Sequence, residues 1–262
     1  MLLGQTRPAR ALGDTVTPGM GGQPRSEEGT YIVEGTVPDP SVVLATARPI
    51  LESYHDIYDD LLPIDSTTRV LDVGCGLGHF LLYARARGAE RVLGVDVGSR
   101  QVELCRAMGF EAETIESIPS VLRGRNTSYD LVHMSHVIEH VYPTDLTEVL
   151  NAIRTALAPG GLFVIRTPNM SHWLAGHMRY LDLTHVTGFT SWSLRQALWH
   201  SGFRSVEIHP SHLRLHWRPK RVAWLIARKA LHSLFRLGAY IEMGTDRANI
   251  LTPELIAIAR SE

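Results

Sequence analysis

Between residues 69 and 210 the apolar positions change period repeatedly, and each change marks an element. Val70 to Val73 reads as a short buried strand, and three glycines at alternate positions (Gly74, Gly76, Gly78) form a turn before the helix-like Phe80 to Arg87. Arg91 to Asp96 is a second strand ending in an acid, and Ser99 is the expected N-cap of a helix that ends near Gly109. Phe110–Ile115 and Tyr129–Met134 read as the third and fourth strands. Leu146, Val149, Leu150, Ile153 and Leu157 repeat at helical spacing within Asp145–Ala158, which Pro159-Gly160-Gly161 terminates. Leu162–Arg166 is a fifth strand, Ser193–His200 a helix, and Ser205–His209 and Glu254–Arg260 the last two strands. Ahead of them all, Ser41 to Leu62 reads as a helical region. Strands alternating with helices predict a parallel, doubly wound α/β sheet.

A strand, a glycine turn and a helix N-terminus make a nucleotide-sized ligand site. Two cofactors compete for it. The dinucleotide fingerprint wants glycine at the first, third and sixth places, and the sixth place here is His79. The spacing is instead Asp-x-Gly-x-Gly-x-Gly from Asp72. Asp96, placed for bidentate hydrogen bonding to two ribose hydroxyls, suits either cofactor. The glycine spacing separates them.

Composition narrows the setting. With 262 residues and 44% hydrophobic content, the chain can bury one substantial core. Residues 1–29, rich in Gly, Pro, Arg, Thr and Ser, read as a mobile tail, and 30–262 as one domain. No run is long enough for a signal peptide or a membrane span, and Cys75 and Cys105 are too few for a disulfide framework. A reduced cytoplasmic location is therefore expected. Net charge is −1, but seven basic residues and no acid lie between Arg214 and Arg236. The remainder holds 19 basic against 27 acidic residues.

The ordered motifs from Val70 to Phe203 resemble the ubiquinone-biosynthesis-like, small-molecule branch of the class I S-adenosylmethionine methyltransferases. Asp72 to Gly78 resembles that family's first motif, Tyr129-Asp130-Leu131-Val132 its fourth-strand motif, and Val137-Ile138-Glu139-His140 the segment after it. Leu157-Ala158-Pro159-Gly160-Gly161 resembles the turn before the fifth strand, and Thr167-Pro168-Asn169 the loop after it. The resemblance implies a Rossmann-like seven-stranded sheet of order 3-2-1-4-5-7-6, with the seventh strand antiparallel and a helical insertion between strands 6 and 7. It implies S-adenosylmethionine as cofactor. Asp72, Gly74, Cys75, Gly76 and Gly78 would shape its methionine end and Asp96 would hold the ribose. Val97, Thr114 and Ile115 would lie near the adenine, and Ser135 near the amino group. Many relatives carry Asp where this chain has Thr114, so its side-chain contact to the adenine amine is not implied.

His136-Val137-Ile138-Glu139-His140 also spells the inverted zincin pattern, but it follows a strand directly and Pro143 breaks it. No metal is expected. His140 has two readings: a base near the reacting methyl group, or a scaffold ordering the loop. In Asp182-Leu183-Thr184-His185 an Asp–His pair would raise imidazole basicity. The alternative is a loop clasp in which His185 caps the next helix. The pattern D-x-T-H-x-x-x-F-T resembles methyltransferases encoded with cell-surface glycan biosynthesis, which implies a sugar hydroxyl on a small or lipid-linked acceptor. A quinone-like metabolite and an inactive cofactor-binding subunit are the alternatives. Finally, residues 210–250 include a basic amphipathic helix, with Trp224, Leu231, Leu234, Phe235 and Ile241 on one face and Arg228, Lys229, His232 and Arg236 largely on another. It reads either as a dock on an anionic membrane, at the inner face, or as a lid. No nucleic-acid module is recognisable.

Overall fold

The structure, a computed structural model, describes residues 37–123, 128–211, 219–244 and 250–262. The expected tail (1–29), Arg214 and Arg218 lie outside the described residues. Seven strands form one sheet: β1 (Arg69–Val73), β2 (Arg91–Asp96), β3 (Glu111–Thr114), β4 (Tyr129–Ser135), β5 (Leu157–Pro168), β6 (Ser205–Pro210) and β7 (Glu254–Arg260). Their order is β3-β2-β1-β4-β5-β7-β6. The first five run parallel, and β7 is antiparallel to both β5 and β6. This is the expected topology. Beside it stand α1 (Pro40–Thr46), α2 (Arg48–Tyr58), α3 (His79–Ala86), α4 (Ser99–Ala107), α5 (Ile118–Leu122), α6 (Leu146–Ala156), α7 (Ala175–Tyr180), α8 (Ser191–His200) and α9 (Pro219–Met243).

Strand alternation divides the core in two. Leu71, Val73, Val132 and Met134 face α6 and α8, where Leu150, Ile153, Leu194 and Leu198 are fully buried. Val70, Leu131 and Val164 face the other way, under Tyr58, Phe80 and Tyr83 of α2 and α3. Connections from β1 and β4 diverge to opposite sides, so a crevice opens at the carboxyl ends of these two neighbouring strands.

Several boundaries differ from expectation for local reasons. The single N-terminal helix is two, α1 and α2, with Pro49 in the first turn of the second. Ser99 is not the N-cap of α4: Gly98 holds that position, and its N–H donates to the Asp96 carboxylate. Helix α6 ends at Ala156, and Pro159-Gly160-Gly161 lies within β5, where the pairing with β4 slips between Tyr129 and Leu131. Helix α8 starts earlier than read, at Ser191, because Thr190 and Ser193 form a capping box. The short α5 and α7 carried no readable periodicity.

Candidate functional site

At the crevice lies a cavity of about 670 Å³. The turn after β1 forms its floor. Gly74, Gly76 and Gly78 all take positive φ, and a Cβ at Gly74 would lie 2.2 Å from Val137 Cγ2. A Cβ at Gly76 would meet no protein atom within 4 Å and would take up cavity space instead. Asp96, at the end of β2, accepts hydrogen bonds from the backbone N–H of Gly98 (2.9 Å) and Gly76 (2.8 Å). Burial pushes its pKa up against those bonds, with the Asp72 charge adding to the rise. A partly desolvated carboxylate that still has lone pairs to fill suits paired hydroxyl donors.

Asp72 behaves differently. It is 2% exposed, faces away from the cavity, and accepts a hydrogen bond from His133 Nδ1 at 2.7 Å. Tyr58 Oη lies 3.2 Å from His133 Nε2, and Phe80 stacks on the imidazole at 3.5 Å. Burial pushes the Tyr58 phenol well above its ordinary range. The hydroxyl therefore keeps its proton and donates it to Nε2, which places the imidazole proton on Nδ1, toward Asp72. This acid is satisfied by the neighbouring strand rather than by the turn's amides.

The two histidines of the His136–His140 pentapeptide do not converge. His136 adopts φ 54°, and its ring bridges Glu139 (3.1 Å) and Glu254 (2.9 Å). Burial opposes its charge, but hydrogen bonds and attraction from the two glutamates outweigh it and raise the pKa to about 9. Arg166 completes the cluster, binding Glu254 Oε2 through both Nε and an Nη. Burial works against Glu254 ionising; His136 and Arg166 overcome it and hold the pKa at about 2. His136 is thus a structural cation in the cavity wall.

His140, in the 3-10 turn Ile138–His140, also lines the cavity. Its Nδ1 lies 3.1 Å from the Thr184 carbonyl, which can only accept, so Nδ1 carries the proton and Nε2 is the basic nitrogen. Burial pushes its pKa down, and His185, whose ring centroid is 4.8 Å away, adds to the depression. The expected Asp182–His185 pair is not formed. Asp182 Oδ1 accepts from the Thr184 N–H and hydroxyl, while His185 Nδ1 faces the Met178 carbonyl. Nor does His185 cap α8, since Thr190 does. Asp182 instead fixes Thr184, which fixes His140. Among the described residues, Glu139, His140 and His185 bring ligand atoms within 4.8 Å of one another, so these three, and not the two histidines of the zincin pattern, are the group that could hold a metal ion.

A family model described as a methyltransferase domain matches residues 37–208. The chain belongs to the methyltransferase-domain family. An uncharacterized methyltransferase from Synechocystis is 26% identical over 164 residues, covering 60% of this chain and 77% of the relative. The ubiquinone biosynthesis O-methyltransferase of Xanthomonas oryzae is 30% identical over 135 residues, covering 50% of this chain and 54% of that enzyme. The chain thus spans about half the length of the ubiquinone methyltransferases it matches. In fold it is similar to a SAM-dependent methyltransferase from Archaeoglobus fulgidus (TM-score 0.57, 21% identity, 85% of this chain and 95% of that one).

For a methyltransferase, the cavity residues fit S-adenosylmethionine: an acid suited to ribose hydroxyls, a turn whose backbone a ligand can approach, and apolar walls for the adenine. Of the expected residues, Gly74, Gly76, Asp96, Val97 and Ile115 line the cavity. Cys75 is buried against Cys105 (Sγ–Sγ 3.9 Å), Gly78 is the N-cap of α3, and Thr114 and Ser135 lie outside the lining, as does Asp72. His185 and Asp182 reach it only through His140. The residues missed include Gln101, Ser117, Ser120, Arg123 and Tyr142. The Ser117–Ser120 capping box was a legible helix-start signal. Gln101 carried none, since it sits on a helix whose buried face reads as core.

Proposed function

We propose that this methyltransferase transfers a methyl group from S-adenosylmethionine to a hydroxyl of a small or lipid-linked acceptor, with His140 as the general base. The observation that supports this most is the His140 arrangement: a neutral imidazole at the cavity, with Nδ1 committed to Thr184 and Nε2 left basic. Asp96, Gly74 and Gly76 would hold the cofactor, whose sulfonium supplies an electrophilic methyl group. His140 takes the hydroxyl proton on Nε2, and Asp182 positions it through Thr184. The acceptor we favour is a sugar hydroxyl of a surface glycan, from the likeness of the Asp182–Thr190 segment. A phenolic hydroxyl of a quinone-like metabolite is the second reading, favoured by the ubiquinone O-methyltransferases among the relatives.

Helix α9 bears on where the acceptor is met. No helix among the described residues is long and apolar enough to cross a membrane. Ile226, Leu234 and Ile241 of α9 are 65–70% exposed, with Lys229 and Arg236 on the same helix, a composition suited to resting on an anionic bilayer. The deciding experiment is calorimetry for S-adenosylmethionine, followed by methyl transfer to glycan and quinol acceptors with the parent and His140→Gln chains. Cofactor binding with turnover of either acceptor, lost in His140→Gln, is the expected result. Binding without turnover in any lysate fraction would favour an inactive partner subunit, and failure to bind would remove the proposal.

A further inference from the structure

A second cavity, of about 520 Å³, opens beside the first, between α9, the loop after β5 and the start of β7. Its body is apolar and aromatic: Trp173, Trp224, Leu231, Ile57 and Pro253 contribute walls. Its floor is Arg166 and Glu254, and Glu254 is the residue that His136 holds from the first cavity. The hydrogen-bonded His136–Glu254 pair therefore has one member in the lining of each cavity.

The rim on the α9 side is basic. Arg228 and His232, one turn apart on α9, and His172 on the facing loop all line the opening. Among the described lining residues the only carboxylate is that of Glu254, which is taken up by Arg166 and His136. No ion pair to Arg228 is present among the described residues. Its guanidinium stacks over Trp224 at 5.2 Å, and burial draws its pKa down with no anion opposing the shift. His172 accepts the Leu174 N–H on Nδ1, so Nε2 carries its proton as a donor. Burial and the charges of His232 and Arg228 push the His172 pKa down. A partly buried Arg228 cation with no ion pair among the described residues attracts an anion, and the apolar walls attract a hydrocarbon or ring.

We propose that this cavity is a second binding site, separate from the expected cofactor cavity, and that it takes an amphipathic organic anion: an apolar body beside Trp173 and Trp224, and a phosphate-type group held by Arg228 with His172. The site stands apart from the methyltransferase reading, because His140 and the expected cofactor residues line the other cavity. The exposed face of α9, by contrast, includes Ile226 and Leu234, which do not line the cavity.

Decyl phosphate, below its micelle concentration, is the probe, titrated into the full chain by calorimetry and tryptophan fluorescence. Decanol and inorganic phosphate serve as the uncharged and tail-free comparisons. One saturable site is expected, with decyl phosphate binding at least tenfold tighter than either comparison. Arg228→Glu should weaken it tenfold or more, and Ile226→Asp, on the outward face, should leave it within twofold. Equal binding of decanol, equal binding of inorganic phosphate, or indifference to Arg228→Glu would each overturn the proposal. Loss in Ile226→Asp as well would assign the signal to surface adsorption on α9 and overturn it equally. Calorimetry for S-adenosylmethionine on the same samples separates the two readings. Cofactor binding without decyl phosphate binding sinks only the second site, and the reverse sinks only the cofactor reading.

Discussion

Replacing His133 by leucine tests the reading that Asp72 acts within the sheet and not at the ligand. His133 is 1% exposed, and its Nδ1–H is the donor to the Asp72 carboxylate. Leucine retains an apolar body under Phe80 but removes that donor and also the acceptor of the Tyr58 hydroxyl. Stranding the buried Asp72 carboxylate without its donor costs about 3 kcal/mol or more, and an orphaned buried hydroxyl adds about 1 kcal/mol or more. That is a large share of the roughly 5–15 kcal/mol that holds a typical domain together. His133→Gln, whose amide keeps a donor, is the variant to measure if His133→Leu does not fold. Urea unfolding followed by circular dichroism, at unchanged slope, reports the loss as a lower midpoint. The paired replacement Asp72→Leu/His133→Leu removes the stranded carboxylate together with its donor and should recover about 2 kcal/mol or more relative to His133→Leu. A His133→Leu loss under about 1 kcal/mol, or a double variant as unstable as the two single losses added together, would refute the reasoning.

Three further outcomes follow from the site. Asp96→Asn removes the charge suited to the ribose hydroxyls, so S-adenosylmethionine affinity should fall about 10–100-fold by calorimetry; unchanged affinity would remove Asp96 from the cofactor site. Gly74→Ala combines a left-handed backbone (φ 74°) with a Cβ 2.2 Å from Val137 Cγ2. It should destabilise by about 2–4 kcal/mol in thermal or urea melts, and adding Val137→Ala should return part of that. Because burial and His185 lower the His140 pKa, the unprotonated base persists to lower pH than a free imidazole. The acid limb of kcat/KM should then have its midpoint below pH 6.5 and disappear in His140→Gln, whose rate should be about 10²–10⁴ lower. A midpoint above 6.5 would count against His140 as the base.

Most of the sheet was legible along the chain, because a strand buried on both faces must be a short apolar run and a glycine turn must supply left-handed backbone. Val70–Val73 with Gly74, Gly76 and Gly78 satisfies both conditions locally, and the ordered motifs after it carried the topology and the cofactor expectation. Asp96 was equally readable, since a strand-end acid beside that turn has one place to point. What only the tertiary structure decided were pairings between distant residues. Asp72 is two positions from the turn, yet strand alternation turns it away from the cavity and the β1–β4 register sets it opposite His133, sixty-one residues on. His136 and His140 look like partners four apart, but a positive φ at His136 sends it to Glu254, and His140 is left to Thr184 and His185. Asp182 reads as a partner of His185, and the loop instead spends its carboxylate on Thr184. Sequence spacing constrains neighbours within a turn or a strand. Which side chains meet across the sheet depends on strand alternation, register and where each loop lands, and these are set only when the whole core closes.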